Sequence, residues 1–153
     1  MLRKVPLAEK GHLRELFDTY RLDLHALTNP GEDLEPYPWF DAYWVEPDRH
    51  PYWICAGPEI VGFVMVNAWP ESGLPIDQRI AEFCIRPDHR RHGLGQKTLA
   101  ALMRLHPGQW ELKVHRANLA GFAFWPRALE ISGARDLTRI DWPDSLILRF
   151  CSP

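Results

Sequence analysis

The chain has few cysteines, no long apolar run and no surplus of charge, and each lack removes a class of protein. Cys55, Cys84 and Cys151 are far apart and form no CxxC. Neither a disulfide framework nor a zinc site is suggested, and a reducing cytoplasm is the expected home. No apolar stretch is long enough to span a bilayer, so no membrane partner is expected. The first residues, MLRKVPLAEKGHLREL, lack the apolar core and small-residue cleavage site of a secretory signal. A formal net charge of −2 gives no global attraction to nucleic acid. Any anion site must therefore be local. What remains, 46% hydrophobic and 25% charged residues in 153, is the composition of one globular domain, residues 1–153.

The order of elements is mixed. Residues 2–6 read as a short strand. In 8–27, Leu13, Leu16, Phe17, Tyr20, Leu24 and Leu27 recur at three- and four-residue steps, which predicts an amphipathic helix. Asn29-Pro30-Gly31 and four further prolines make 28–51 a long ordered loop, with a short helix near 38–45. YWICAGPEIVGFVMVNAW reads as a hairpin of strands 52–56 and 60–69, turning at Gly57-Pro58-Glu59. A strand at 79–86, a helix at 94–106 ended by Pro107-Gly108, and a strand at 110–114 follow. Residues 117–131 are helical, with a kink or break at Pro126, and strands at 134–139 and 145–150 close the chain. An α/β fold is expected, a mixed sheet flanked by helices on both faces.

One stretch carries chemistry: EFCIRPDHRRHGLGQKTL, residues 82–99. A strand stops at Pro87. Arg90, Arg91 and His92 follow, then Gly93 and Gly95 at the mouth of a helix. A helix start presents unpaired N–H groups and the positive end of the dipole. Glycines let a backbone approach a ligand, and the basic residues add charge. Together they make an anion cradle suited to a pyrophosphate. Neither GxxxxGK[ST] nor the third glycine of GxGxxG is present, Thr98 standing in its place. The alternative is a basic loop whose glycines serve only a tight turn.

Arg90-Arg91-His92-Gly93-Leu94-Gly95 resembles the [Q/R]xxGx[G/A] signature of the GNAT N-acetyltransferase superfamily. WELKVHRANLAGFAFW, a strand followed by a helix opened by Asn118, resembles a second block of that family. FDAYWVEPDRHPYW and the Phe124-Trp125 pair resemble a bacterial subgroup of predicted acetyltransferases. The resemblance implies a single-domain GNAT fold with a mostly antiparallel sheet, in which strands 79–86 and 110–114 splay around the pantetheine arm of CoA. It implies acetyl-CoA as co-substrate, with the amides of Arg90, Arg91, His92, Gly93, Leu94, Gly95 and Gln96 holding the pyrophosphate. The arm would lie along Phe83, Cys84 and Ile85, with Asn118 near the pantetheine and Trp125 near the sulfur. The implied reaction is direct transfer of an acetyl group to a primary amine of a small molecule or peptide, by a monomer or homodimer.

Such a transfer needs a base, and Glu82 is the candidate, acting through water; the alternative is an exposed strand-edge carboxylate. Asp41, Glu35 and Asp33 are rivals. The family often has a tyrosine seven residues after the asparagine to protonate the departing thiolate; here that residue is Trp125, whose indole is a very poor acid, so either the thiolate leaves unassisted or another group such as Tyr20, Tyr37, Tyr43 or Tyr52 swings in. The aromatic run Tyr37, Trp39, Phe40, Tyr43, Trp44 either packs the proline-rich loop or walls the acceptor pocket. With Trp39, Asp41 and Trp44 in that pocket and Glu32, Asp33 and Glu35 close by, it would suit a cationic amine. His89 and His92 beside Asp88 mimic a metal spacing, but their loop is otherwise explained and no metal is expected. Cys84, inside an apolar strand, reads as packing. Arg127, Arg135, Arg139 and Arg149 read as solvated faces. Two other readings stand beside the transferase: a non-catalytic acyl-CoA-binding or sensor module, and an interaction protein that uses only the scaffold.

Overall fold

The computed structural model describes all 153 residues. Ten main elements follow one another: β1 (Leu2–Lys4), α1 (Lys10–Thr28), β2 (His50–Ala56), β3 (Glu59–Asn67), β4 (Gln78–Ile85), α2 (Leu94–Leu105), β5 (Gln109–His115), α3 (Leu119–Ile131), β6 (Arg135–Asp141) and β7 (Ser145–Cys151). The strands form one sheet in the order β1-β2-β3-β4-β5-β7-β6. Every pairing is antiparallel except β4 with β5. That single parallel pair follows from the helical crossover between its strands, since parallel neighbours cannot be joined by a tight turn.

The two faces of the sheet carry different cores. On one, α2 and α3 cover Val64, Val66, Ile80, Leu112, Leu148 and their neighbours. On the other, Leu13 and Phe17 of α1 and Phe40 and Tyr43 of the long loop cover Trp53, Phe63 and Met65. The expected apolar stripe of α1 holds at Leu13, Leu16, Phe17, Tyr20 and Leu24, but Leu27, in the last turn, is exposed. The short helix expected near 38–45 is a single 3-10 turn, Asp41–Trp44. Strand β3 ends at Asn67, two residues before the expected limit. Pro126 lies within α3, which continues through it from Leu119 to Ile131 without dividing.

Two local features place the functional region. The parallel pairing of β4 with β5 covers only Gln78, Arg79 and Ile80, opposite Trp110, Glu111 and Leu112. From Ala81 to Ile85, β4 keeps β3 on one side and has no strand on the other. The expected splay is therefore present. Its origin is a bulge: Met65 pairs with Glu82 and Val66 with Ile80, leaving Ala81 unopposed. A bulge bends its strand and shifts the alternation of faces by one. Ile80 and Phe83 consequently share the α2/α3 face, while Glu82 and Cys84 face α1.

The loop joining β3 to β4 is fastened from beneath. Glu111 is fully buried; its carboxylate accepts from the amides of Glu71 and Ser72, from Ser72 Oγ, and from Arg149 at 2.9 Å. Arg149 thus serves a buried pair, not the solvated face its sequence context suggests. At the opposite end of α2, the rings of His50 and His106 stack at 4.8 Å, and His106 Nε2 shares a 2.8 Å hydrogen bond with the Tyr52 hydroxyl. Burial holds both imidazoles below their ordinary value, helped by Lys4 at His50 and by His50 at His106. Each binds its proton less tightly in the folded state, so stability is present above the unfolded value of 6.5 and is lost as pH falls below it. The melting temperature is expected to drop between about pH 7 and about pH 5.5, and His50→Gln to flatten that slope, as followed by circular dichroism.

Candidate active site

Three pieces converge around the open edge of β4. The first is the loop into α2. After Ile85, Pro87–His89 form one 3-10 turn and Arg90 is extended. Arg91 (φ 65°) and Gly93 (φ 72°) are left-handed. Left-handed residues interleaved in a turn swing successive N–H groups toward one side, forming an anion nest. Pro87 O receives the amide of Arg90, and Gly93 O that of Lys97; none of the six amides between, Arg91 to Gln96, has an acceptor within the protein. No acidic residue occurs from Arg90 to Leu105, whereas Arg90, Arg91, His92 and Lys97 are exposed. Lys97, in the first turn, adds a cation that the motif reading missed. Arg90 is turned back, its Nε donating to Ile85 O at 2.7 Å.

The two glycines have different reasons. Beside Gly93 a Cβ would meet nothing within 4 Å; its requirement is the positive φ. At Gly95 a Cβ would stand 2.6 Å from Phe124 Cζ. Gly95 therefore serves the packing of α2 against α3, where the sequence suggests access to a ligand. Gly95→Val is expected to cost about 1–3 kcal/mol through overpacking. Phe124→Ala should restore part of that loss in the double variant, a non-additivity of about 0.5–3 kcal/mol measurable by urea melts.

The second piece is an aromatic wall on the α2/α3 side. Phe83 of β4 meets the Trp125 ring edge-on at 5.0 Å, and Phe124 meets it at 5.0 Å. Trp125 is 8% exposed. Trp44, Trp53 and Trp110 each donate the indole N–H to a protein acceptor, whereas that of Trp125 has none. Leu94 and Ile85 pack against the same core. Asn118 caps α3, its Oδ1 accepting from Gly121 N at 3.0 Å, and so has a local reason to open that helix.

The third piece lies on the α1 side. Glu82 is half-buried, and Tyr20 of α1 donates to its Oε2 at 2.9 Å. Tyr37 neighbours both that carboxyl and Tyr43, whose hydroxyl accepts from Asn67 Nδ2 at 3.0 Å. Burial pushes the Glu82 carboxyl above its ordinary value, against hydrogen bonding from Tyr20 and Tyr37 and the charges of Arg79 and Arg21. A raised carboxyl is a stronger base once ionised. The same burial, reinforced by the Glu82 charge, raises the hydroxyls of Tyr20 and Tyr37. It also raises the Cys84 thiol, which is therefore not a standing thiolate.

The residues expected around an acceptor separate. Trp39 is 54% exposed and meets Tyr37 edge-on at 5.5 Å, so it borders the Glu82 region. Asp41 does not: it pairs with Lys10 at 2.7 Å, which holds its carboxyl low. Trp44 donates to Val5 O and lies beneath Lys10 at 5.4 Å. Both line shallow concavities around Leu7, apart from Glu82. Asp33 and Glu35 are exposed, Glu35 offering only its backbone carbonyl to Arg21. Tyr20, Tyr37, Arg21 and Arg79, which do surround Glu82, carry no motif in sequence. Tyr20 and Arg21 are adjacent on α1, and only the bulge at Ala81 brings Glu82 to them. Nowhere do three His, Cys, Asp or Glu side chains converge as metal ligands, and no helix is long and apolar enough to cross a membrane.

The sequence pattern of the acetyltransferase (GNAT) family matches residues 13–130. No curated protein matches the chain by sequence. Among solved structures, an acetyltransferase from Thermus thermophilus is 22% identical with a TM-score of 0.66, covering 97% of this chain and 94% of its own. The PaiA N-acetyltransferase from Thermoplasma acidophilum, in complex with coenzyme A, is 14% identical with a TM-score of 0.62 over 99% and 98% of the two chains. AAC(6')-Ib, in complex with ribostamycin and coenzyme A, is 16% identical with a TM-score of 0.66 over 99% and 92%.

Proposed function

The chain belongs to the acetyltransferase (GNAT) family, and from that premise we propose that it moves an acetyl group from acetyl-CoA to a primary amine of a small molecule or peptide. The observation that carries this is the run of six unpaired amides, Arg91 to Gln96, opening beside the unpaired edge of β4. That donor set fits a pyrophosphate. The free edge, Phe83 to Ile85, fits an amide-bearing arm that pairs as an added strand.

When bound, acetyl-CoA supplies an activated acyl carbonyl and a thiol leaving group. The protein's own part is positioning and proton handling. The amides of 91–96 anchor the pyrophosphate, and a backbone N–H of β4 polarises the carbonyl. Phe83, Phe124 and Trp125 exclude water from one side of the splay. On the other, Glu82, held by Tyr20, takes a proton from the ammonium through water, and the neutral amine attacks directly. No covalent enzyme intermediate is needed. An indole N–H at Trp125 supplies no proton to the thiolate, whose modest pKa permits it to leave unaided.

That same indole favours a second reading, a sensor module that binds CoA without turnover. Release of free thiol from acetyl-CoA, screened over polyamines, aminoglycosides, amino acids and peptides, separates the two. The transferase releases thiol only when an acceptor is present. A sensor gains stability from CoA, about 2.7 kcal/mol at about 100 times the dissociation constant, yet releases none with any acceptor.

A further inference from the structure

The charges around Glu82 say more about the acceptor than the acidic loop does. Two guanidiniums bracket that carboxylate. Arg79, on the same face of β4, pairs with Glu71 at 2.5 Å and donates to Trp69 O, while its buried Nε has no partner. Glu71 is itself shared with Lys113 at 3.3 Å. Arg21, next to Tyr20 on α1, has no carboxylate partner at all. It lies over the rings of Phe17 (5.7 Å) and Tyr37 (5.3 Å) and donates one N–H to Glu35 O. A guanidinium has five donors in a planar fork suited to a carboxylate. Here the residue is half-buried and its fork is fixed by two rings and a carbonyl, and Glu82, on which its charge acts, makes no ion pair with it. Ordering and partly desolvating such a group is unfavourable unless an anion reaches it.

We infer that the acceptor carries a carboxylate beside its amine, as a free α-amino acid does, and that Arg21 binds this carboxylate while Glu82 receives the amine. The inference rests on the transferase reading above and names its acceptor. Pinning the loop to α1 does not require Arg21 to lack an ion pair, and His25 already fastens the same loop through Glu32 O at 2.7 Å. A polycation would instead meet Arg21 and Arg79, because Glu32, Asp33 and Glu35 are exposed and Asp41 is held by Lys10.

The test compares L-amino acids with their own α-carboxamides as acceptors in the thiol-release assay. The amide lowers the ammonium pKa and so supplies more neutral amine, which biases the assay against the inference. For the accepted amino acid, kcat/KM should exceed that of its amide about tenfold or more, mainly through KM. Arg21→Gln should bring the ratio near one, and Arg21→Lys, which keeps the charge without the fork, should retain part of it. Equal or faster reaction of the amides in the wild type, or a ratio that survives Arg21→Gln, would overturn the inference. If no amine of any kind releases thiol, the transferase reading fails instead. The same ligand pairs are then compared by melting shifts in the presence of CoA: a shift with the acid alone, lost in Arg21→Gln, upholds the carboxylate site, and equal or absent shifts overturn it.

Discussion

Glu82→Gln is expected to lower kcat about 100-fold or more at neutral pH while leaving CoA affinity within about twofold, since the amides of 91–96 are untouched. The substitution keeps shape and still accepts the Tyr20 hydrogen bond, but removes the group that receives the ammonium proton. The pH dependence supplies an internal check. Burial raises the Glu82 carboxyl above 4.5, so the wild-type rate should climb as that group ionises and the amine loses its proton. The variant should lack the first limb and regain rate only at high pH, where free amine appears unaided. Loss of fold cannot mimic this result. A carboxyl raised on folding adds stability below its unfolded value of 4.5, and that stability is lost as pH rises through the folded value. At neutral pH a neutral amide there should be no less stable than the buried charge. Near-normal turnover of Glu82→Gln at pH 7 would transfer the role to bulk water, as Asp41 is tied to Lys10 and Glu35 is exposed.

Trp125→Ala is expected to be the most destabilising single change in the site, about 3–5 kcal/mol, because it empties a buried indole from between Phe83 and Phe124. Much of the wall is apolar volume, so Trp125→Phe should keep most of the turnover and CoA affinity, measured on protein shown by melting to be folded. Trp125→Tyr is more informative. A phenol at this position would offer a proton where indole offers none. Turnover rises if proton delivery to the thiolate limits the rate, and hardly changes if departure is already easy. A collapse in Trp125→Phe with fold and CoA binding intact would mean that the indole N–H, which has no acceptor within the protein, makes a bond essential to the reaction.

What could be read from the sequence and what could not divide along physical lines. Helix α2, its loop and the hairpin β2–β3 were legible because proline, glycine and apolar alternation act locally. Arg91 and Gly93 are left-handed in the loop where residue types alone suggest an anion cradle. The bulge at Ala81 was invisible, since nothing in IAEFC distinguishes a bulged alanine from a paired one. Yet that bulge decides which face Glu82 meets, and hence that Tyr20, Arg21 and Tyr37 become its neighbours. Gly95 was legible as important but for another reason, because the ring of Phe124 approaches from a helix far along the chain. The acidic loop misled on acceptor charge: proximity in sequence to Trp39 did not carry Asp41 to the same place, Lys10 having drawn it to the start of α1. In sequence Glu111 is one charge in an alternating strand and nothing marks it, although it anchors the loop from which Glu71 holds Arg79. Pro126 suggests a kinked or divided helix, and packing of Trp125, Ala128 and Leu129 into the core keeps α3 undivided.

We propose that the backbone amides at the head of α2 hold the pyrophosphate of CoA. The direct measurement is a titration of isotopically labelled protein with CoA, following backbone amide resonances by NMR. Saturable shifts are expected at Arg91 to Gln96, with smaller ones along Phe83 to Ile85, and are lost in Gly93→Val, where a β-branched side chain is forced into the left-handed region. Saturable binding of CoA that leaves the 91–96 resonances unmoved would contradict it.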